Sequence, residues 1–127
     1  MPFVNISLLK GKSREHRRAI ADGVHEALVE TYDVPRDDRF QVIKDYDPEE
    51  LIYDEQYLDI HRSPDVVFIH ITASATRDLT QKKALFKAIA DRLGVDPGLR
   101  PQDVQVIIAS NERADWSFGD GVATYAV

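Results

Sequence analysis

The chain has 127 residues, 16 basic and 22 acidic side chains for a net charge of −6, 43% hydrophobic residues and no cysteine. That length suits one domain with a real core, and the composition is that of a globular protein. The negative balance argues against nucleic acid and anionic membranes as main partners, and the missing thiols exclude disulfides, thiolate catalysis and cysteine-metal sites.

The chain opens Met1-Pro2. Methionine aminopeptidase trims Met1 when a small residue such as proline follows. Trimming leaves Pro2 with a free secondary amine, whose conjugate acid belongs near the α-amino range of about 7.7–8.0. Burial or a neighbouring arginine lowers that value, which suits a general base near neutral pH. By itself a Met-Pro start carries no such meaning in most chains. No apolar run reaches transmembrane length and no signal-peptide pattern is present, so the expected location is the cytoplasm.

Pro2 to Leu9 reads as a strand, with Phe3, Val4, Ile6, Leu8 and Leu9 apolar. Lys10-Gly11-Lys12 turns the chain and Ser13 is a fair helix N-cap. Ile20, Val24, Ala27, Leu28 and Thr31 then recur at helical spacing, while Arg14, Arg17, Arg18, Asp22 and Glu26 line the other face. Pro35 closes that segment, and Phe40 to Ile43 is a second short strand. Residues 45–64 form an acidic linker carrying Asp45, Asp47, Glu49, Glu50, Asp54, Glu55 and Asp59. They match no calcium-loop spacing, and the expectation is a solvated connection with a short hairpin.

The series then repeats. Val66 to Thr72 is the strongest strand. Thr80 can cap a helix with Leu85, Phe86, Ile89 and Leu93 on its buried side, Gly94 fits the C′ position, and Val104 to Ile108 is a strand again. The expected fold class is therefore α/β (α+β): duplicated β-α-β units, in halves at about 2–44 and 65–110, within one domain spanning 1–127. Each unit prefers parallel strands and a right-handed crossover. Two helices would cover one face of a four-stranded sheet, and a partner subunit is the simplest cover for the other. His70 alternates with Phe68 and Thr72, on the side away from Val67, Ile69 and Ile71, and reads as a packed or interfacial histidine. His16 and His25 lack the i, i+4 spacing of a local metal pair. The tail, 111–127, sets Trp116 and Phe118 among turn-forming residues, either as packing or as a pocket wall.

Several stretches together resemble the tautomerase superfamily, and within it malonate semialdehyde decarboxylase and its relatives. They are the Met1-Pro2 start, the duplicated units, Val34-Pro35-Arg36-Asp37-Asp38-Arg39-Phe40-Gln41, Arg62-Ser63 before the third strand, and Asp115-Trp116-Ser117-Phe118-Gly119. The resemblance spans nearly the whole chain. It implies a cofactor-free enzyme with no metal, and a homotrimer whose sheets enclose a central barrel. Position by position it implies Pro2 as the catalytic amine, Asp38 as the carboxylate that tunes the amine or works with water, and Arg77 as the cation. Trp116 and Phe118 would form a hydrophobic wall that binds substrate. Asp37 adjoins Asp38, and the following Arg39-Phe40-Gln41 favours Asp38. One departure stands out: Ala75 occupies the place of a further arginine in the decarboxylase pattern.

Without the resemblance, Arg77 reads as a solvated residue before a helix, and Asp37 and Asp38 as loop or cap residues. With it, the expected reaction is proton transfer on a small enol or keto carboxylic acid. Decarboxylation of a 3-oxo acid, hydration of an unsaturated acid, and a non-catalytic trimeric binding protein are the alternatives.

Overall fold

The central feature is a four-stranded sheet in the order β2-β1-β3-β4. The computed structural model describes residues 1–126. In chain order the elements are β1 (Phe3–Leu9), α1 (Arg14–Tyr32), β2 (Gln41–Tyr46), β3 (Val67–Ser74), α2 (Leu79–Val95) and β4 (Val104–Asn111). Strands β1 and β2 are parallel, as are β3 and β4, because a helix carries the chain back between them. The two units join through an antiparallel pairing of β1 with β3.

Alternation sorts the strand residues onto two faces. Val4, Ile6, Leu8, Val67, Ile69 and Ile71 are at most 2% exposed and pack beneath both helices. Ile20, Val24 and Leu28 of α1 and Leu85, Ile89 and Leu93 of α2 complete that core. Each such side chain contributes roughly 1.5–3 kcal/mol relative to leaving it exposed. The helices approach closely at Gly23, where a Cβ would lie 2.8 Å from Leu93 Cδ2. The opposite sheet face is open: Val42, Asn5, His70 and Ile107 form one row across it by register. Val42 and Ile107 are about half exposed and Phe3 somewhat less. No helix among the described residues is long and apolar enough to cross a membrane.

Local signals account for most boundaries. Ser13 caps α1, its Oγ accepting from His16 N–H at 3.0 Å. The helix ends at Tyr32 with Asp33 in the left-handed region. Three expectations for α2 need correction. The cap of α2 is Asp78, not Thr80: Asp78 accepts from Gln81 N–H and the Gln81 side chain returns a bond to Asp78 N–H, so two orphan donors are satisfied at once. The helix also runs past Gly94 to Val95. Phe86 is 39% exposed, because the buried line of α2 runs through Leu85, Ile89 and Leu93.

The linker holds no hairpin among the described residues. It carries a 3₁₀ turn at Tyr57–Asp59 and is tied down instead. Leu51 packs with Leu9 and Val66. The Arg62 guanidinium donates to the carbonyls of Asp54, Tyr57 and Ile60. Buried Asp103 accepts from Ser63 N–H and Oγ–H at 2.6 and 2.7 Å. A linker rich in carboxylates is thus anchored through its few apolar and basic groups.

Asp78→Ala is expected to lower stability by about 1 kcal/mol, and Thr80→Ala by no more than about 0.5 kcal/mol. Urea denaturation of the two variants checks this, and equal losses would return the cap to Thr80.

Candidate active site

Strand polarity gathers four chain segments at one end of the sheet. There β1 and β2 begin and β3 and β4 end. Pro2, residues 38–40, residues 75–77 and the tail beyond Asn111 therefore share this end. Extending the β1–β2 register by three residues from Val4 and Gln41 sets Met1 beside Asp38. Pro2 is buried.

The amino nitrogen of Met1 lies 2.7 Å from Asp38 Oδ2. The Asp38 side chain is 14% exposed, and its other oxygen, Oδ1, is buried without a partner. Asp37 is exposed. What holds Asp38 here is a set of ties from its loop to α1. Buried His25 donates through Nε2 to the Arg36 carbonyl at 2.8 Å. Arg36 pairs with Glu26, and Arg39 Nη2 with Asp22 Oδ1 at 2.6 Å. Arg39 Nε also donates to Gln41 Oε1, whose amide in turn donates to the Ala21 carbonyl. A tight turn, Asp38 N–H to Pro35 C=O at 2.9 Å, completes the loop.

These contacts shift two carboxyls. Partial desolvation pushes Asp22 up, but the Arg39 and Arg18 guanidiniums outweigh it and hold Asp22 below the usual carboxylate range. The hydrogen bond from Arg36 likewise lowers Glu26.

Arg77 lies in the turn between β3 and α2. Its guanidinium carbon sits 4.8 Å from the Tyr32 ring centroid. Nη2 donates to the Tyr32 carbonyl at 2.8 Å, and Nη1 to Thr76 Oγ1 at 3.0 Å and Ser74 Oγ at 3.4 Å. No carboxylate among the described residues pairs with it. Ala75 is exposed, and its N–H bonds Asn111 C=O at 2.7 Å.

The tail folds into an aromatic wall at the same end. Trp116 and Phe118 stack with centroids 5.5 Å apart and planes 9° from parallel. Phe118 also meets Phe40 and Tyr125, each at 5.5 Å. The indole N–H donates to Asn111 Oδ1 at 2.7 Å, and Thr124 Oγ1 accepts from Phe118 N–H. The wall is thus joined to Phe40, two residues from Asp38. A hollow of about 530 Å³ lies beside it, lined by Ser74, Thr76, Asn111 and Arg113 among others, though not by Asp38 or Arg77.

All five residues singled out from the sequence thus sit on the segments that meet here. Asp38 touches the amino terminus, Trp116 and Phe118 touch each other, and Arg77 touches α1. Sequence reasoning missed Phe40 and Tyr125 as parts of the wall, Asn111 as the indole's partner, and Tyr32 beneath Arg77. The one available signal was that a buried indole N–H requires an acceptor nearby.

A family model described as "Tautomerase enzyme" matches residues 38–119, and a second with the same description matches residues 2–58. The probable tautomerase YusQ of Bacillus subtilis (strain 168) is 41% identical over 97% of both chains. Among solved structures, FG41 malonate semialdehyde decarboxylase inhibited by 3-bromopropiolate is 43% identical. It aligns with TM-score 0.90 over 97% of this chain and 93% of its own. A second malonate semialdehyde decarboxylase, described with decarboxylase and hydratase activities, is 31% identical with TM-score 0.91 over 97% and 95%.

A carboxyl held below its unfolded pKa stabilises the fold above that unfolded value, about 3.9 for Asp and 4.3 for Glu. The contribution disappears as pH falls through the folded value. Acid unfolding below about pH 4 is therefore expected to be shallower in Asp22→Asn, which cannot titrate. A pH series of melting temperatures checks this, and parallel curves for variant and wild type would contradict it.

Proposed function

The chain belongs to the tautomerase superfamily, and from that membership we propose a cofactor-independent enzyme that uses its amino-terminal proline to move a proton on a small enol or keto carboxylic acid. The observation that carries this reading is the ion pair of the amino nitrogen with Asp38, whose second oxygen is buried and unpartnered. The fold spends a mostly buried carboxylate on its own amino terminus. Removal of Met1 would bring the Pro2 nitrogen to the head of the chain at this sheet end, with Asp38 as the nearby carboxylate.

The chemistry follows from these groups. Ketonisation transfers a proton from the enol oxygen and delivers one to carbon. A secondary amine with a pKa near neutrality serves either step. A carboxylate beside it favours the charged amine, and the vacant Oδ1 can accept from the amine or from a water. Arg77 has five N–H donors, of which three bond protein oxygens. Two remain for a substrate carboxylate or a developing enolate. The Trp116–Phe118 wall would exclude water and strengthen both interactions.

The second reading is decarboxylation of a 3-oxo acid, favoured by 43% identity to a malonate semialdehyde decarboxylase over nearly the whole chain. The carbon–carbon bond to the carboxylate would break and its electron pair would enter an enolate. The cationic amine and Arg77 would stabilise that enolate, and the amine would then protonate carbon. Hydration of an unsaturated acid by a water on Asp38 belongs with this reading. Either way a homotrimer would cover the open sheet face, where Val42 and Ile107 stand half exposed.

Pro2→Ala is expected to lower kcat/KM for ketonisation of phenylenolpyruvate by about 10²–10⁴, and Arg77→Ala by about 10²–10³, with intact mass showing Met1 absent from the active protein. Wild-type rates in both variants would remove the proposed mechanism. Faster carbon dioxide release from malonate semialdehyde than ketonisation would select the second reading.

A further inference from the structure

We propose that Tyr32 is the positioning residue of Arg77, and that it thereby sets the affinity of the site for a substrate carboxylate. The inference rests on the reading in which Arg77 holds that carboxylate. Two parts of Tyr32 meet the guanidinium. The ring lies under it at 4.8 Å, within cation–π range. The main-chain carbonyl accepts from Nη2 at 2.8 Å.

The location strengthens both contacts. Tyr32 is the last residue of α1, so its carbonyl has no acceptor role inside the helix. It lies at the negative end of the helix dipole, and the last turn of α1 has no basic residue of its own. Arg77, 45 residues further along the chain, supplies that cation. Tyr32 is 2% exposed and belongs to the main core, so its ring is a fixed platform. The Tyr32 hydroxyl is buried with no partner among the described residues, so the ring and the carbonyl make the contact, not the phenol.

A long flexible side chain is held in one orientation before any ligand arrives. Thr76 and Ser74 take Nη1 and Tyr32 takes one Nη2 donor, which leaves Nε–H and one Nη2–H for substrate. An arginine ordered in advance loses less freedom on binding, which lowers KM and leaves the chemical step at Pro2 and Asp38 untouched.

Steady-state ketonisation of phenylenolpyruvate tests this in the processed enzyme. Tyr32→Leu, which removes the ring, is expected to raise KM about five- to tenfold, with kcat within about twofold and the same pH dependence of kcat. Tyr32→Phe keeps ring and carbonyl and should restore KM to within about twofold of wild type. Pentafluorophenylalanine at position 32 keeps the size and reverses the ring's charge distribution. It should raise KM as leucine does, and it decides the matter if the leucine variant does not fold. In an Arg77→Ala background, losing the ring should raise KM no further. A wild-type KM in the ring variants, or an equal rise with and without Arg77, overturns the positioning role. A wild-type KM in Arg77→Ala alone overturns the carboxylate reading of Arg77, a separate failure.

Discussion

The antiparallel pairing of β1 with β3 is the constraint from which the site follows. Each β-α-β unit alone sends its two strands the same way. Placing the units back to back reverses one against the other, so the beginnings of β1 and β2 meet the ends of β3 and β4. Segments separated by more than a hundred residues, the amino terminus and the aromatic tail, are thereby brought to one edge of the same sheet. The pairing is held by alternation: shifting it by one residue would turn Val4, Ile6 and Leu8 from the helices to the open face.

Charge is distributed against the overall sign of the molecule. A chain of net charge −6 keeps its arginines busy where the site is built. Arg36 and Arg39 tie the loop of Asp38 to Glu26 and Asp22 on α1, and the two acids are depressed in consequence. These pairs are partly exposed and individually weak. Their effect is cooperative placement, together with His25 and the Pro35 turn. Arg77 differs, since hydroxyls, a carbonyl and a ring surround it and no described carboxylate neutralises it. A cation ordered by neutral groups keeps its charge available to an anionic ligand.

Much of the fold was legible from short-range pattern. The strand cores, the Ser13 cap and the stripe of Ile20, Val24 and Leu28 all appear where periodicity put them. The cap of α2 was misread because Asp78 and Thr80 both have the right chemistry. Only the reciprocal bond from Gln81 separates them. The linker is largely exposed, as its carboxylates suggest, but it forms no hairpin: its shape is set by the anchors Leu51, Arg62 and Ser63, which are few against the acidic composition. Phe86 was misplaced by one position on a helix whose buried line is narrow.

Residue type and spacing on this chain determine which stretches are strands and helices, which faces are apolar, and which side chains carry chemistry. Those properties act over a few residues, so linear order suffices to express them. The partners of the chemical groups are another matter. That Asp38 meets the amino terminus, that Phe118 packs on Phe40, and that Tyr32 lies beneath Arg77 depend on strand register and on how α1 ends against the β3–α2 turn. Contacts across 37 or more residues are set by packing of the whole molecule, because each needs two segments whose separation along the chain says nothing about their distance in space.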